Sequence, residues 1–535
     1  MFDLVLQGGE VFDGTGAEGV LADVAIQNGR IVAIGKPGEI DTVDAAEVID
    51  VTGLVVSPGF IDMHTHSDFT LIADGRAESQ VHQGVTTEVI GQCGASCAPV
   101  ISAADIRRVA PWFNEEAKHD TWLGFGDYLD VLDKTELGVN VMAFVGHGTI
   151  HRAVLGGGMH AGEPDDVAQM ARLVDQCMEE GAAGFSSGLE YFPGILAAPD
   201  HLVPLCEVAA KYKRLYATHV RNRDTQYDLG FAEAIATARQ SGAKLQISHI
   251  QPKFGAPHYA MEHTLEMIEV ARRHDTDIAF DVIPHDWNHT LMAAILPRWA
   301  QAGELDDVLK RLADPESREK IKANPKPMWL LVKAEKWSDI MLLNATVNKD
   351  LVGADFAEIG RMRNCHPYDA VLDILLEEGQ NIMSCMWTSR SFNEDDLDMC
   401  LNQPECAVIS DTIATANDGV LADQLGSLSG YGWAARFLQH YVRDRRVLSL
   451  ADGVAKLTSV PANRLGLKDR GVLKPGYYAD ICVFDQANIA SNATAKNPRR
   501  YASGIAHVLV NGLLSMRNGQ RTAINAGQVV RELAV

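Results

Sequence analysis

Basic residues are scarce in this chain. Lys and Arg number 47 against 71 Asp and Glu, a formal net charge of −24, and no run of basic side chains occurs anywhere. A phosphate backbone or an anionic membrane surface is thereby excluded as a natural partner. Long apolar runs are also missing, so nothing in the sequence is suited to crossing a bilayer. The first ten residues carry no basic leader and already read as a strand. Cysteine is sparse, odd in number at nine and scattered (93, 97, 177, 206, 365, 385, 400, 406, 482). That is no disulfide framework, and it points to a reducing compartment, the cytoplasm. Repeats and low-complexity tracts are likewise absent.

What is present describes a globular protein, 47% apolar and 22% charged. Its 535 residues exceed one ordinary domain. Short alternating strands with turn punctuation fill 1–52, with Asn28-Gly29 as a hairpin signal. The texture returns at Gly471–Gly476, Asp480–Phe484, His507–Val510 and Leu514–Arg517, with Asn511-Gly512 as a second turn. One β-sandwich domain built from both termini, 1–56 plus 467–535, is expected.

Between them, apolar strands alternate with helical stretches. Eight strands are expected: Gly59–His66, Thr87–Cys93, Asn140–Gly146, Ala183–Ser187, Leu215–Val220, Leu245–Ile250, Ile278–Ile283 and Ala407–Asp411. Helical periodicity is clearest over Asp165–Glu180, Gly230–Ser241 and Thr264–Arg273. The fold class is therefore α/β, a (β/α)8 TIM-like barrel over 57–466. The interval from Ile283 to Ala407 is far longer than a barrel connection needs. It predicts helices over Leu305–Lys322, broken at Pro315, and over Pro367–Glu378. Strands are predicted over Met328–Val332 and Ile382–Trp387, and a small inserted subdomain over about 297–365.

Residues 54–66, Leu-Val-Val-Ser-Pro-Gly-Phe-Ile-Asp-Met-His-Thr-His, are the centre of the chain. Residues two apart on a strand face one side, so His64 and His66 present two imidazoles to one point. Cys93, His219, His249 and Asp411 fall at other strand ends, which converge at one mouth of a barrel. His147 is a weaker candidate, and Asp62 reads as support for the ligands. Soft thiolate and imidazole donors favour Zn²⁺ with an activated water, and Asp411 is suited to moving the proton.

The Pro58–His66 stretch, the later histidines, the strand-eight aspartate and Gly471-Val-Leu-Lys-Pro-Gly-Tyr-Tyr-Ala-Asp-Ile481 resemble the amidohydrolase superfamily from end to end. Three further pieces resemble its N-acyl-D-amino-acid deacylases (D-aminoacylases): Gln83–Gly94, Gly184–Tyr191 and Ala217–Asn222. That resemblance implies one tight zinc on Cys93, His219 and His249, with His64, His66 and Asp411 forming a second, weaker position. The bridging lysine of many binuclear relatives is absent from strand four, and Cys93 takes its place.

By the same resemblance a small-molecule amide is the substrate, and the substrate-facing residues are Tyr191, Lys253, His285, Trp287 and His289. Here the chain departs from the family. Lys253 stands one position late, His285 and His289 replace a tyrosine and a serine, and the His-Pro-Arg element after the aspartate is missing. Tyr431 and Trp433 extend the expected aromatic wall. Lys253 with Arg221 or Arg223, or else Arg390, remains an alternative cation set for a substrate carboxylate. Hydrolysis of a linear amide (an N-acyl amino acid or related N-acyl amine) is the first reading. A hydantoinase- or dihydroorotase-type cyclic-amide hydrolase and a non-catalytic structural relative are the alternatives. Monomer and homo-oligomer both stay open.

Overall fold

A computed structural model describes residues 1–43, 45–102, 105–106, 121–156, 160–423, 426–531 and 533. Strands from both ends of the chain pair into one nine-stranded sheet, the small sandwich domain. Leu4–Val11, Val20–Gln27, Arg30–Gly35, Val48–Asp50 and Val55–Pro58 come from the N-terminal side. Ile481–Phe484, Ile505–Val510, Leu513–Arg517 and Gln520–Arg521 come from the other. The seam is antiparallel, with Val56 opposite Val483. Leu6, Val24, Val56, Ile481 and Leu509, all fully buried, share its core. Asn28 and Gly29 both adopt positive φ (52° and 75°), as do Asn511 and Gly512 (50° and 81°). This is the geometry that lets two-residue turns follow the twist of the strands. Gly471–Gly476 forms no strand; its glycines serve turns instead.

Eight parallel strands form the barrel among the described residues. They are β1 (Phe60–Asp62), β2 (Val85–Ile90), β3 (Asn140–Gly146), β4 (Gly184–Gly188), β5 (Leu215–His219), β6 (Lys244–Ile247), β7 (Ile278–Val282) and β8 (Cys406–Val408). Each pairs with its neighbour in sequence, from β1 through to β8. Closure comes just past the ends of β1 and β8: Asp411 N donates to His64 O at 3.1 Å and His66 N to Thr412 O at 2.7 Å. The segments that carry candidate ligands thus also shut the barrel. Ile61, Val89, Met142, Phe144, Ala217 and Ile409 fill its interior. The C-terminal tail pairs with β3 (Val530 N to Val141 O, 2.8 Å), and Leu533 is buried in this same core.

The periodic helices form at Pro164–Glu179, Tyr227–Ser241 and Ala260–Arg273. The first starts on a Glu163/Asp166 capping box with Pro164 at its first position, where a missing N–H costs nothing.

Between β7 and β8 lies a three-stranded antiparallel sheet: Trp287–Leu291 and Ile340–Asn344 flank Met386–Arg390. It has its own apolar core, from Met292 to Trp387. Helices Leu305–Ala313, Pro315–Lys322 and Pro367–Glu378 stand where periodicity and Pro315 place them. The strand expected over Met328–Val332 is instead a helical turn, Leu330–Lys333. Its apolar run is buried because Trp329 stacks on Trp387 (4.6 Å), and a short buried run reads alike as strand or helix. The strand expected from Ile382 begins at Met386, after the 3₁₀ segment Gly379–Ser384.

Candidate metal centre

The donor atoms of His64, Cys93, His249 and Asp411 all lie within 4.8 Å of one another at the C-terminal mouth of the barrel. Cys93 Sγ is central, 3.3 Å from His64 Nε2, 3.4 Å from His249 Nε2 and 3.8 Å from His219 Nδ1. Asp411 Oδ1 is 3.2 Å from both His64 Nε2 and His66 Nε2. His219 thus meets the group through Cys93, and His66 through Asp411. His147, fully buried at the start of helix His147–Leu155, stands apart from the cluster.

The backbone is bent to bring these groups together. Cys93, His249 and Asp411 have φ of 51°, 35° and 52°, a left-handed conformation that costs a non-glycine residue energy. Each follows a strand and turns its side chain back over the barrel axis. Buried hydrogen bonds hold the strain in place. His249 N donates to Asp281 Oδ1 (2.6 Å), and Asp62 Oδ1 accepts from His64 N (3.3 Å) and Ser410 N (3.1 Å). Asp62 accordingly supports the ligands rather than joining them. Gly188 ends β4 directly beneath the cluster. A β-carbon there would stand 2.2 Å from the Cys93 carbonyl oxygen.

Electrostatics fit a divalent cation. Burial raises the Cys93 thiol, but His64 and His249 outweigh it and hold the group well below its ordinary value, as a thiolate. Burial, reinforced by Arg223, lowers His249 to about 3. Asp411 is held well below the carboxylate range, because His249, His64 and His66 overcome its burial. For His66, Asp411 and Cys93 overcome burial and push the imidazole up to about 10. A thiol and a carboxylate held low among imidazoles are donors that suit a zinc ion, and His64 and His66, both raised, would give up their protons on ligating one.

Two supports escaped the sequence reading. Glu190 Oε2 accepts from His219 Nε2 at 2.7 Å, which orients Nδ1 toward Cys93, while Glu190 Oε1 pairs with Lys253 Nζ. Asp281 holds His249 as described and lies 3.9 Å from His64 Nδ1. Glu190 sits in plain sight in Gly-Leu-Glu-Tyr, but only the fold shows what its carboxylate touches.

Of the expected substrate-facing residues, Tyr191 OH lies 3.1 Å from His219 Nδ1. Lys253 is buried against Glu190. His289 sits in the strand Trp287–Leu291, where the charges of Asp411 and His66 reach it. His285 and Trp287 line a separate hollow of about 370 Å³ with Asp286, Arg390 and Arg436. Tyr431 and Trp433 form no wall of the site. Both are fully buried, Tyr431 bonded to Thr415 and Trp433 to Gln80. Beside Cys93 and Tyr191 opens a cavity of about 260 Å³, lined on its apolar side by Phe69, Val100, Ile101, Phe192 and Pro193.

A family profile described as "Amidohydrolase family" matches residues 47–276 and 411–514. A D-aminoacylase of Alcaligenes xylosoxydans xylosoxydans is 31% identical over 100% of this chain and 98% of its own length. The structure of an N-acyl-D-glutamate deacylase from Bordetella bronchiseptica, complexed with zinc and a phosphonate inhibitor, superposes with a TM-score of 0.81. It is 29% identical, over 99% of this chain and 100% of that one. A D-aminoacylase structure concerned with a binuclear metal centre, one-metal activation and second-metal attenuation gives 0.80 at 29% identity, over 100% of both chains. Barrel, donor set and these matches define a metal-dependent hydrolase of carbon–nitrogen bonds other than peptide bonds. The chain belongs to the amidohydrolase family, within its N-acyl-D-amino-acid deacylase branch.

Proposed function

We propose that the protein is a zinc-dependent hydrolase of a linear amide, an N-acyl amino acid or related N-acyl amine. The observation that carries this reading is the convergence of thiolate, imidazole and carboxylate donors within 4.8 Å. Cys93, His219 and His249 would hold the tight ion, and His64, His66 and Asp411 a weaker second one. His64 and Asp411 also stand within the tight donor cluster. Zinc bound there supplies Lewis-acid polarisation of the amide carbonyl and a water nucleophilic at neutral pH.

The chain's own groups do the rest. Asp411, kept ionised by the imidazoles around it, takes the proton of the attacking water and delivers it to the departing nitrogen. Tyr191, kept protonated because burial and the nearby Cys93 raise its phenol, donates to the developing oxyanion. Asp281, Asp62 and Glu190 hold the ligands so that little reorganises during the reaction. His289 borders the substrate, with His285 and Trp287 in the separate hollow.

This chemistry belongs to a barrel of 57–466. The sandwich of 1–56 and 467–535 lies outside it, and a subdomain of about 297–365 is inserted within the barrel. Nine free cysteines support a cytoplasmic setting, and among the described residues no helix is long and apolar enough to cross a membrane. A self-associated form is compatible with all of this.

The test is a hydrolysis panel on zinc-loaded protein, with N-acyl-D-amino acids, neutral N-acyl amines, arylamides, a hydantoin and dihydroorotate. Cleavage confined to linear amides is expected. Ring opening alone would make it a cyclic-amide hydrolase, and tight zinc with no hydrolysis a structural relative.

A further inference from the structure

We infer that the amide cleaved here carries no α-carboxylate, and that its amine half is a neutral apolar or aromatic amine. This rests on the linear-amide reading above. The substrates for which the relatives are named, acyl-D-amino acids and acyl-D-glutamate, all place a carboxylate one carbon from the scissile nitrogen. A carboxylate drawn into a buried site needs a cation or several donors aimed at it.

Among the described residues, most cations around the candidate ligands are already engaged. Lys253, with a side chain only 3% exposed, pairs with Glu190, whose other oxygen fixes His219. Turning Lys253 to a substrate would strand Glu190 as an unpaired buried charge and loosen a ligand. Arg223 is buried and donates through Nη1 to the carbonyl oxygen of His249, while its Nε, shut away from solvent, has no hydrogen-bond partner among the described residues. Arg221 makes two bonds to Glu233 (both 2.8 Å) and two more to the carbonyls of Ile195 and Ala197. Arg390 points outward with a side chain 57% exposed, 3.3 Å from Asp286 and over the Trp287 ring. Arg436 is held by Glu394 (3.4 Å) and the carbonyl of Pro284 (3.0 Å).

The cavity that opens beside Cys93 points the same way. Apart from His66, the titratable side chains of its lining are Asp68, Asp105, Arg152, Cys93, Cys97 and Tyr191. Among the described residues two carboxylates share that wall with one guanidinium, so they offer an anion no surplus of positive charge. Phe69, Val100, Ile101, Phe192 and Pro193 offer instead a surface for a ring or a short chain. At about 260 Å³ the cavity lies just under the ~300–1,000 Å³ usual for ligand sites, which suits one such group and little more.

The decisive comparison is between N-acetylphenethylamine and the two enantiomers of N-acetylphenylalanine, which differ from it by a single carboxylate. With zinc-loaded full-length protein, kcat/KM for the neutral amide is expected to exceed that for either amino acid by at least ~100-fold. Calorimetry should show phenethylamine binding the zinc-loaded protein more tightly than either phenylalanine. Equal or faster cleavage of N-acetyl-D-phenylalanine overturns the inference and leaves the linear-amide reading intact. Cleavage of a hydantoin but of neither linear amide overturns that reading, and tighter binding of phenylalanine than of phenethylamine then rejects the inference as well.

Discussion

Gly188 lies so close beneath Cys93 that a β-carbon on it would stand 2.2 Å from the Cys93 carbonyl oxygen and 2.5 Å from the Tyr191 ring. Strand four therefore ends on bare backbone, and the space a longer side chain would take is used by the Cys93 turn, with its φ of 51°. The Cys93 turn and the absence of a longer side chain at the end of strand four are thus linked. Gly188→Ala should lose ~1–3 kcal/mol, the usual cost of forced overpacking, and bind zinc more weakly. Gly126→Ala, in a helix with its nearest neighbour at 3.4 Å, should be neutral or stabilising. Thermal melts and zinc titrations of both variants check this, and a normal melt with normal zinc in Gly188→Ala would refute it.

Cys93 Sγ lies within 3.8 Å of three imidazole nitrogens, which makes it the shared point of the candidate ligand set. Cys93→Ala should weaken zinc binding by more than the ~10–100-fold that loss of a supporting partner costs, and activity should fall with it. His249→Ala should behave alike. Metal analysis after dialysis is the measurement, and full zinc retention in Cys93→Ala would remove the thiolate from the ligand set.

Asp411→Asn separates holding the metal from moving the proton. Cys93, His64, His219 and His249 remain, and the amide oxygen keeps a neutral donor in place. Zinc content should stay near that of the parent, while kcat falls ~10²–10⁴-fold, the range of a general acid–base contribution. Turnover close to normal would mean another group carries the proton.

How much of this was legible in the sequence depends on range. His64-Thr-His66 could be read because strand alternation is local, and the eight barrel strands because a βα repeat leaves an apolar run at each turn. The His249 and Asp411 positions followed from their places at strand ends. The Lys253–Glu190 contact joins residues 63 apart. It has no periodic signature, so Lys253 read as a substrate clamp and Glu190 as nothing in particular. Tyr431 and Trp433 looked like lining because aromatics near a catalytic aspartate often are; helix Leu428–Arg436 turns both into the core. Inside the insertion, Trp329 and Trp387 pack face to face, and tertiary burial decided a helical turn where composition favoured a strand.

Glu378 organises the insertion from within. Its carboxylate accepts from the backbone N–H groups of Thr346, Val347 and Asn348 at 2.9–3.0 Å and from the Asn348 amide at 3.1 Å. Burial raises its pKa, but these donors outweigh it, and the net shift is below the ordinary 4.5. A carboxyl whose folded pKa is depressed contributes stability that is complete above its unfolded pKa and fades as pH falls through the folded one. Glu378→Gln should cost ~1–3 kcal/mol at pH 7, since it sets an amide N–H against donors. The gap between parent and variant should narrow only below about pH 4.5. Melting both proteins across pH 3–7 tests the sign; a gap that widened on acidification would contradict it.

Glu190 is the sharpest test of the support beneath the metal. It is buried between a cation and a ligand, accepting from His219 Nε2 at 2.7 Å and paired with Lys253 Nζ. The opposing charge of Lys253 and the His219 hydrogen bond overcome its burial and hold it far below the carboxylate range. Glu190→Gln preserves shape and removes the charge. The His219 bond weakens, its Nδ1 is less firmly aimed at Cys93, and Lys253 loses its counter-ion. Zinc affinity should drop ~10–100-fold, the usual cost of removing a partner from behind a ligand. At saturating zinc, kcat should recover most of its parent value, because Asp411 and Tyr191 are untouched. A variant that bound zinc normally but lost kcat would place Glu190 in the proton path instead. A variant that newly accepted N-acetyl-D-phenylalanine would show that Lys253, once released, can hold a carboxylate, and that Glu190 is what normally prevents it.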